Sequence, residues 1–319
     1  MDFTPTTDQD LLQQTVRQML TGTCSTAQLR EMIDKPELRR RLWNQLADTG
    51  VFSLRLDEAD DGIGFGCAEA AMVFEELGSA LVPGPLVWSH LAAGPVRGAA
   101  DGTRIVGGID RRDRVLLIEH ADLIDDLVVI DSDGIWSVDL GEVVLTMATQ
   151  PIDPLTTIGV VSHLPQGTQI GDHQQAVEWQ QIGAVLTAAQ LVGVASAATA
   201  LAVEYAKQRQ QFGRAVGSFQ AIKHILADML ARGEVARAAS RSAGVHLDDP
   251  ELAPLAARAA AVAKIVATEA GVHNTKDCIQ VHGGIGFTWE AHPQLLAKRA
   301  QVLAASFGTV DLLADSLFG

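Results

Sequence analysis

The sequence predicts a mainly helical protein with a small β domain in its middle. An N-terminal helical domain spans residues 1–93, the β domain 94–172, and a C-terminal four-helix bundle 173–319. Three observations predict this order. Apolar residues recur at helical spacing as far as Ala93. Short β-branched runs separated by Gly, Asp and Pro follow. From His173 onward, long Ala- and Leu-rich stretches return. A chain of 319 residues is long enough for two or three packed domains around a sizeable core.

In the first part, Leu11, Leu12, Val16, Met19 and Leu20 form one helical stripe, and Leu38, Leu42 and Leu46 a second. Pro36 suits the first turn of that second helix. A third helix runs from Cys67 to Leu81 with Ala71, Val73, Phe74 and Leu77 inward, and Pro83-Gly84-Pro85 breaks it. The runs 115–118, 127–130, 143–145 and 158–161 then predict a small antiparallel β domain, with Trp136 a core residue of a further strand-like run. In the last part, helices are predicted over about 173–207, 217–247, 250–279 and 291–316, with joints at Gly213 and Gly217, at Asp248-Asp249-Pro250 and at Gly283-Gly284. Up-down helices of this length with short joints make a four-helix bundle.

The net charge of −15 argues against nucleic-acid or anionic-membrane partners, which require a basic face. Cys24, Cys67 and Cys278 have no metal-ligand spacing and are odd in number, so they are expected to be buried thiols of a cytoplasmic protein. Met1-Asp2-Phe3-Thr4 lacks the basic start and apolar run of a leader. Ala184–Ala202 comes nearest to a membrane span, but Thr187, Gln190, Ser196 and Thr199 interrupt it.

Two segments carry chemistry. In Arg209-Gln210-Gln211-Phe212-Gly213 a cation ends a long helix ahead of an aromatic and a Gly turn, and Gln220 follows eight residues after Phe212. A guanidinium fork suits a diphosphate; it equally balances the negative end of a helix. In Gln280-Val281-His282-Gly283-Gly284 paired glycines let backbone approach a ligand or simply close a helix. No strand precedes these glycines, so they do not form a Rossmann signal, and His282 receives no catalytic role.

Together with Gly286-Phe287-Thr288-Trp289-Glu290, these segments resemble the C-terminal half of an acyl-CoA dehydrogenase. The resemblance covers nearly the whole chain, strongly over 190–309 and weakly over 94–170. It implies FAD as cofactor, with Arg209 and Phe212 of one motif, Gln220, and Gln280, Gly283 and Gly284 of the other reaching the dinucleotide held by a neighbouring subunit. It also implies a catalytic Glu within Glu-Gly-Thr, where this chain reads Phe307-Gly308-Thr309. Thr309 keeps a possible flavin contact, and Phe307 accepts no proton. Some members carry the base 26 positions before the motif Arg, which here is Gly183. Glu178 lies about 140° round the helix from it. Glu290 matches a structural position ahead of the last helix. The family's Thr-Glu-Pro and Gly-Ser-Asp patterns are missing from the β domain, which therefore reads as truncated.

The resemblance thus implies a base-lacking subunit of a heteromeric (α2β2) acyl-CoA dehydrogenase of the actinobacterial kind. A full-length acyl-CoA dehydrogenase subunit would supply the Glu and the acyl-CoA site. Steroid-derived CoA esters are the implied substrates, and electron transfer flavoprotein the implied acceptor. A CoA ester is an anion and would need local positive charge. Two alternatives stay open: a catalytically active homo-oligomer using Glu290 or another carboxylate, and a scaffold without flavin.

Overall fold

The computed structural model describes residues 7–113 and 115–318; Met1–Thr4, weighed above as a leader, lie outside the described residues. Five helices open the chain: α1 (Thr7–Thr23), α2 (Thr26–Asp34), α3 (Pro36–Ala47), α4 (Cys67–Ser79) and α5 (Leu86–Leu91). Ser25 and Gln28 form a reciprocal capping box on α2. Pro36 takes the first turn of α3, where its missing N–H leaves nothing unpaired. Val16, Leu20, Leu42 and Leu46 are buried as their spacing predicts, whereas Leu11 is exposed, because α1 turns only one narrow face onto α4. Helix α4 is buried from Ala70 through Gly78, wedged between α1 and the bundle.

Seven short strands follow: β1 (Val106–Asp110), β2 (Leu117–Glu119), β3 (Asp126–Ile130), β4 (Ile135–Val138), β5 (Val144–Met147), β6 (Ile158–His163) and β7 (Thr168–Gly171). They form two sheets, ordered β1-β3-β4-β7 and β2-β6-β5. The all-antiparallel expectation needs one correction: β1 and β3 pair in parallel, Val106 opposite Asp126. Between them the chain leaves to place β2 in the other sheet, so it re-enters alongside β1 in the same direction. Trp136 is half-buried rather than core, its indole N–H donating to Asp131 at 2.9 Å.

The remainder is helical: α6 (His173–Gln208), a two-residue hairpin of β8 (Gln210–Gln211) and β9 (Arg214–Ala215), then α7 (Gln220–Asp248), α8 (Ala253–His282), α9 (Pro293–Ala305) and α10 (Val310–Phe318). The fourth predicted helix is therefore two. Phe307 (φ +54°) and Gly308 (φ +100°) adopt backbone that a right-handed helix excludes, and they split it. Helix α6 is buried without interruption from Ile182 to Ala195, since α4, α7, α8 and α9 surround it. It is long and apolar enough to cross a membrane, but 72% of that stretch is buried inside the protein. Gly193 permits its closest crossing: a Cβ there would meet the Glu75 carbonyl of α4 at 1.9 Å.

Polar side chains tie these layers together. Asn274, fully buried, donates to the Met229 carbonyl at 2.7 Å and accepts from Arg232 at 2.9 Å. The Asp248 carboxylate, at the end of α7, accepts from the Cys67 and Ala68 N–H groups at 2.7 and 2.9 Å and caps α4. Arg299 of α9 donates to Asp153 at 2.6 Å and to the Val82 carbonyl at 2.9 Å, clamping bundle, β region and N-terminal helices at one point. All three cysteines are free and buried, and burial raises them to about 11 (Cys24) and about 12 (Cys67 and Cys278).

Candidate functional site

Arg209 is the C-terminal cap of α6, its backbone extended (φ −70°, ψ 125°) and its N–H still bonded to the Tyr205 carbonyl. The chain then makes the β8–β9 hairpin. Phe212 (φ +53°) and Gly213 (φ +76°) form its two-residue turn, the mirror-image kind that suits the twist of paired strands. Facing this corner, α8 ends at His282, and Gly283 (φ +63°) turns the chain away. Tyr205 and His282 stack at 4.1 Å and hold the two helix ends together. An open cleft of about 510 Å³ results, walled by Arg209, Gln211, Gly283, Gly284 and Thr288 around the Tyr205–His282 pair. The Arg209 guanidinium makes no ion pair among the described residues. A Cβ on Gly283 or Gly284 would meet nothing within 4 Å, so their backbone lies bare beside the cleft.

Phe212, Gln220 and Gln280 lie near this cleft without walling it, whereas Thr309 lies away from it: its neighbour Gly308 is bonded to Lys264, about 27 Å along α8 from His282. Phe212 projects from the hairpin turn and is 92% exposed, its edge toward Phe219. Gln220 opens α7 and pairs with His224 at 3.0 Å. Gln280 is exposed on the last turn of α8, beside the buried Val281 and His282. Thr309 precedes α10, and its hydroxyl accepts the Leu312 N–H at 3.3 Å. Glu290 is exposed in the turn before α9, and Glu178 faces Arg55 at 3.8 Å on the surface.

The two positions at which a base was sought, Gly183 and Phe307, touch each other. A Cβ on Gly183 would lie 2.1 Å from the Phe307 ring, so the ring rests on the bare backbone of α6. Trp88 of α5 packs on its other side, ring centres 4.5 Å apart. Phe307 is 4% exposed, and beside it only about 30 Å³ of cavity remains. Lys264, fully buried on α8, holds the break open. Its ammonium donates to the Ala304 and Gly308 carbonyls at 3.2 and 3.3 Å, either side of Phe307. Burial lowers Lys264 to about 7, and the charge of Glu119 offsets part of that.

The walls of this small cavity carry polar groups that sequence reasoning missed. Glu119 of β2 is half-buried and accepts the Ser306 hydroxyl at 2.6 Å. Desolvation raises its carboxyl, against the pull of that hydrogen bond. His120, buried with φ +55°, is lowered to about 3, first by burial and then by the Arg299 charge. Burial pushes Asp153 up, but Arg299 more than reverses this and keeps it below the ordinary range. No local signal marks these residues, because Glu119 and His120 at the end of β2, Arg299 on α9, and Asp153 behind Arg299 in the loop before β6 converge only through tertiary packing.

A dinucleotide therefore fits this chain at one end only. The open cleft offers an unpaired guanidinium and bare glycine backbone, the donor set for a diphosphate. The small pocket beside Phe307, about 30 Å³, falls far short of the roughly 300–1,000 Å³ typical of a bound cofactor or acyl group. Comparisons with known proteins agree with the fold. The family model of the acyl-CoA dehydrogenase N-terminal domain matches residues 6–100, and that of the C-terminal domain residues 175–317. The acyl-CoA dehydrogenase IpdE2 of Mycolicibacterium smegmatis is 33% identical over 317 residues, covering 94% of both chains. Among solved structures, the ChsE4–ChsE5 complex from Mycobacterium tuberculosis superposes with a TM-score of 0.83 at 24% identity, over 100% of this chain and 98% of that one. A variant of the steroid acyl-CoA dehydrogenase Tcur3481–Tcur3483 superposes at 0.79 and 22%, over 98% and 99%. Matched by both family models, and aligned almost end to end with an acyl-CoA dehydrogenase at 33% identity, this chain belongs to the acyl-CoA dehydrogenase family.

Proposed function

We propose that this chain is the accessory subunit of a heteromeric flavin-dependent acyl-CoA dehydrogenase of the cytoplasm. It completes the FAD site of a full-length partner, and the partner supplies the carboxylate base, the ring site and the acyl-CoA pocket. The observation that carries this reading is the Phe307 ring lying on Gly183. One aromatic contact fills both positions where the family keeps its base. Loss of a positioned base costs factors of about 10² to 10⁴. The carboxylates that line larger openings are already engaged: Asp101 and Asp126 (about 590 Å³) by Thr103 and Arg104, and Glu76 (about 440 Å³) by Arg17. Glu290 is exposed, and Glu119 borders only about 30 Å³.

The cleft at the α6 and α8 ends supports the other half of the proposal. Arg209 would bind the diphosphate and Gly283 and Gly284 the adenosine side, with Phe212, Gln220 and Gln280 as outer contacts; Thr309, beside the Phe307 break, stands too far along α8 to join them. Bound flavin supplies the hydride acceptor; this chain orients one end of it and shields it from water. Phe212 and Phe287, 92% and 76% exposed and adjacent in sequence to cleft residues, suit burial against a second subunit. Leu230 and Val235 of α7 and Leu255 and Val262 of α8 also present apolar surface to solvent. The likeness to a steroid acyl-CoA dehydrogenase favours bulky, steroid-derived CoA esters as substrates, with electron transfer flavoprotein as acceptor. Both come to this chain through its partner.

Flavin absorbance per protein mass tests the proposal, measured on the chain purified alone and co-purified with a full-length dehydrogenase encoded beside it. Flavin in the co-purified complex only is the expected result. A yellow, active preparation of this chain alone would favour the homo-oligomeric enzyme and refute the division of labour.

A further inference from the structure

Three buried polar atoms that have no hydrogen-bond partner in the protein belong to residues walling one cavity: His120 Nδ1, Thr187 Oγ1 and Arg299 Nη2. These residues are 4%, 1% and 6% exposed. Native interiors rarely leave such atoms unpaired, since each costs about 1–3 kcal/mol. Three around one small space point to something held within it. We propose that the small pocket between α5, α6, β2 and α9 is a built-in hydration site, holding one or two ordered waters that join His120, Thr187 and Arg299.

The chemistry of the walls selects the ligand. The Gly84 N–H donates to His120 Nε2 at 3.3 Å, so that nitrogen keeps its lone pair. Neutral His120 therefore carries its hydrogen on Nδ1, where it is a donor. Arg299 spends Nε on Asp153 and Nη1 on the Val82 carbonyl, leaving Nη2 as a second donor. The Thr187 hydroxyl gives or accepts. A ligand that accepts twice and donates at least once satisfies all three, and water does so. Size agrees, because about 30 Å³ admits one or two waters and excludes any acyl or ring fragment. Charge decides against a small anion. Asp153 already neutralises Arg299 at 2.6 Å, and Glu119 adds negative charge to the same wall. The bridge would tie α6 to α9 and β2 where the Phe307 ring closes the pocket. It stands on these polar atoms alone, whatever the subunit does.

The test is a high-resolution crystal structure of the unmodified protein, from crystals soaked in bromide. Water density within hydrogen-bond reach of all three atoms, with no anomalous peak, is the expected result. A dry cavity, or an anomalous bromide peak inside it, overturns the proposal. In solution, ¹⁷O relaxation dispersion reads the lifetime of buried water. Thr187→Val removes one hydrogen bond at nearly constant volume and should shorten that lifetime about tenfold. An unchanged lifetime would remove Thr187 from the site and overturn the three-point bridge.

Discussion

Arg209 stands at the end of α6 with no acidic partner among the described residues, next to backbone that carries no side chain for two residues. On the proposed function, a cation so placed serves a ligand rather than the fold. Arg209→Ala should weaken flavin retention in the complex about ten- to a hundredfold, the worth of a charge-assisted hydrogen bond, and leave the subunit's melting temperature unchanged. Equal flavin content in mutant and parent complexes would remove Arg209 from the site. Phe307 poses the opposite problem. Its left-handed backbone is unfavourable for a side chain of that size, and burial between Trp88 and Gly183 outweighs the cost. Phe307→Ala should destabilise the chain by about 3–5 kcal/mol, read as a lower urea midpoint. Phe307→Glu should bring no dehydrogenase activity to this chain alone, because the pocket around it admits no thioester. Turnover by that variant would refute the claim that this pocket is too small for substrate.

Among the elements, α4 depends most on distant residues. Its N-terminus has no side-chain oxygen of its own at the cap, since Gly66 stands there, and the Asp248 carboxylate from the end of α7 serves instead. Asp248→Ala should therefore cost about 1–2 kcal/mol of stability, visible as a shift in denaturation midpoint. A neutral effect would mean that water replaces the cap. Dependence of this kind explains what sequence does and does not reveal. Helix and strand regions were legible, because apolar spacing and β-branched runs are local. Arg209, Gly283 and Gly284 were expected near one ligand only through the family resemblance, and the packing of Tyr205 on His282 sets them along one cleft. The contact of Phe307 with Gly183 was not, because the expectation ran α9 and α10 together as one helix. A single Gly308 is a weak stop signal, and the buried Lys264 that holds the break lies on another helix. The parallel β1–β3 pair was equally hidden, since the departure of β2 to a second sheet is decided by packing.

Across the whole molecule, burial acts on several cationic groups with one sign. His90 and His120 are lowered to about 3 and His292 to about 4, in each case by desolvation first. An unfolded chain takes up these protons near pH 6.5, and the folded chain does not until pH 3 to 4. Between those limits the unfolded state binds more protons, so stability is full above pH 6.5 and falls on acidification. Asp113, raised to about 6, and Glu119, also raised, act in the opposite direction, leaving the histidines in excess. The urea-extrapolated stability should drop by at least about 1.4 kcal/mol per pH unit between pH 6.5 and 4.5. A flat profile would mean that these histidines are solvated. Lys264 extends the trend upward: lowered to about 7, it adds stability as pH rises from there toward 10.5.

The interlock of Gly183 and Phe307 also constrains what evolution can do with this chain. A carboxylate introduced at residue 183 would drive its Cβ into the ring of residue 307, and one introduced at 307 would take the ring's place in a space that Trp88 and α6 have closed around it. Neither substitution is viable as a lone step toward an independent enzyme. Each needs the other position, and the packing behind it, to have changed already. The contact works as a ratchet: a carboxylate at either position waits on a change at the other.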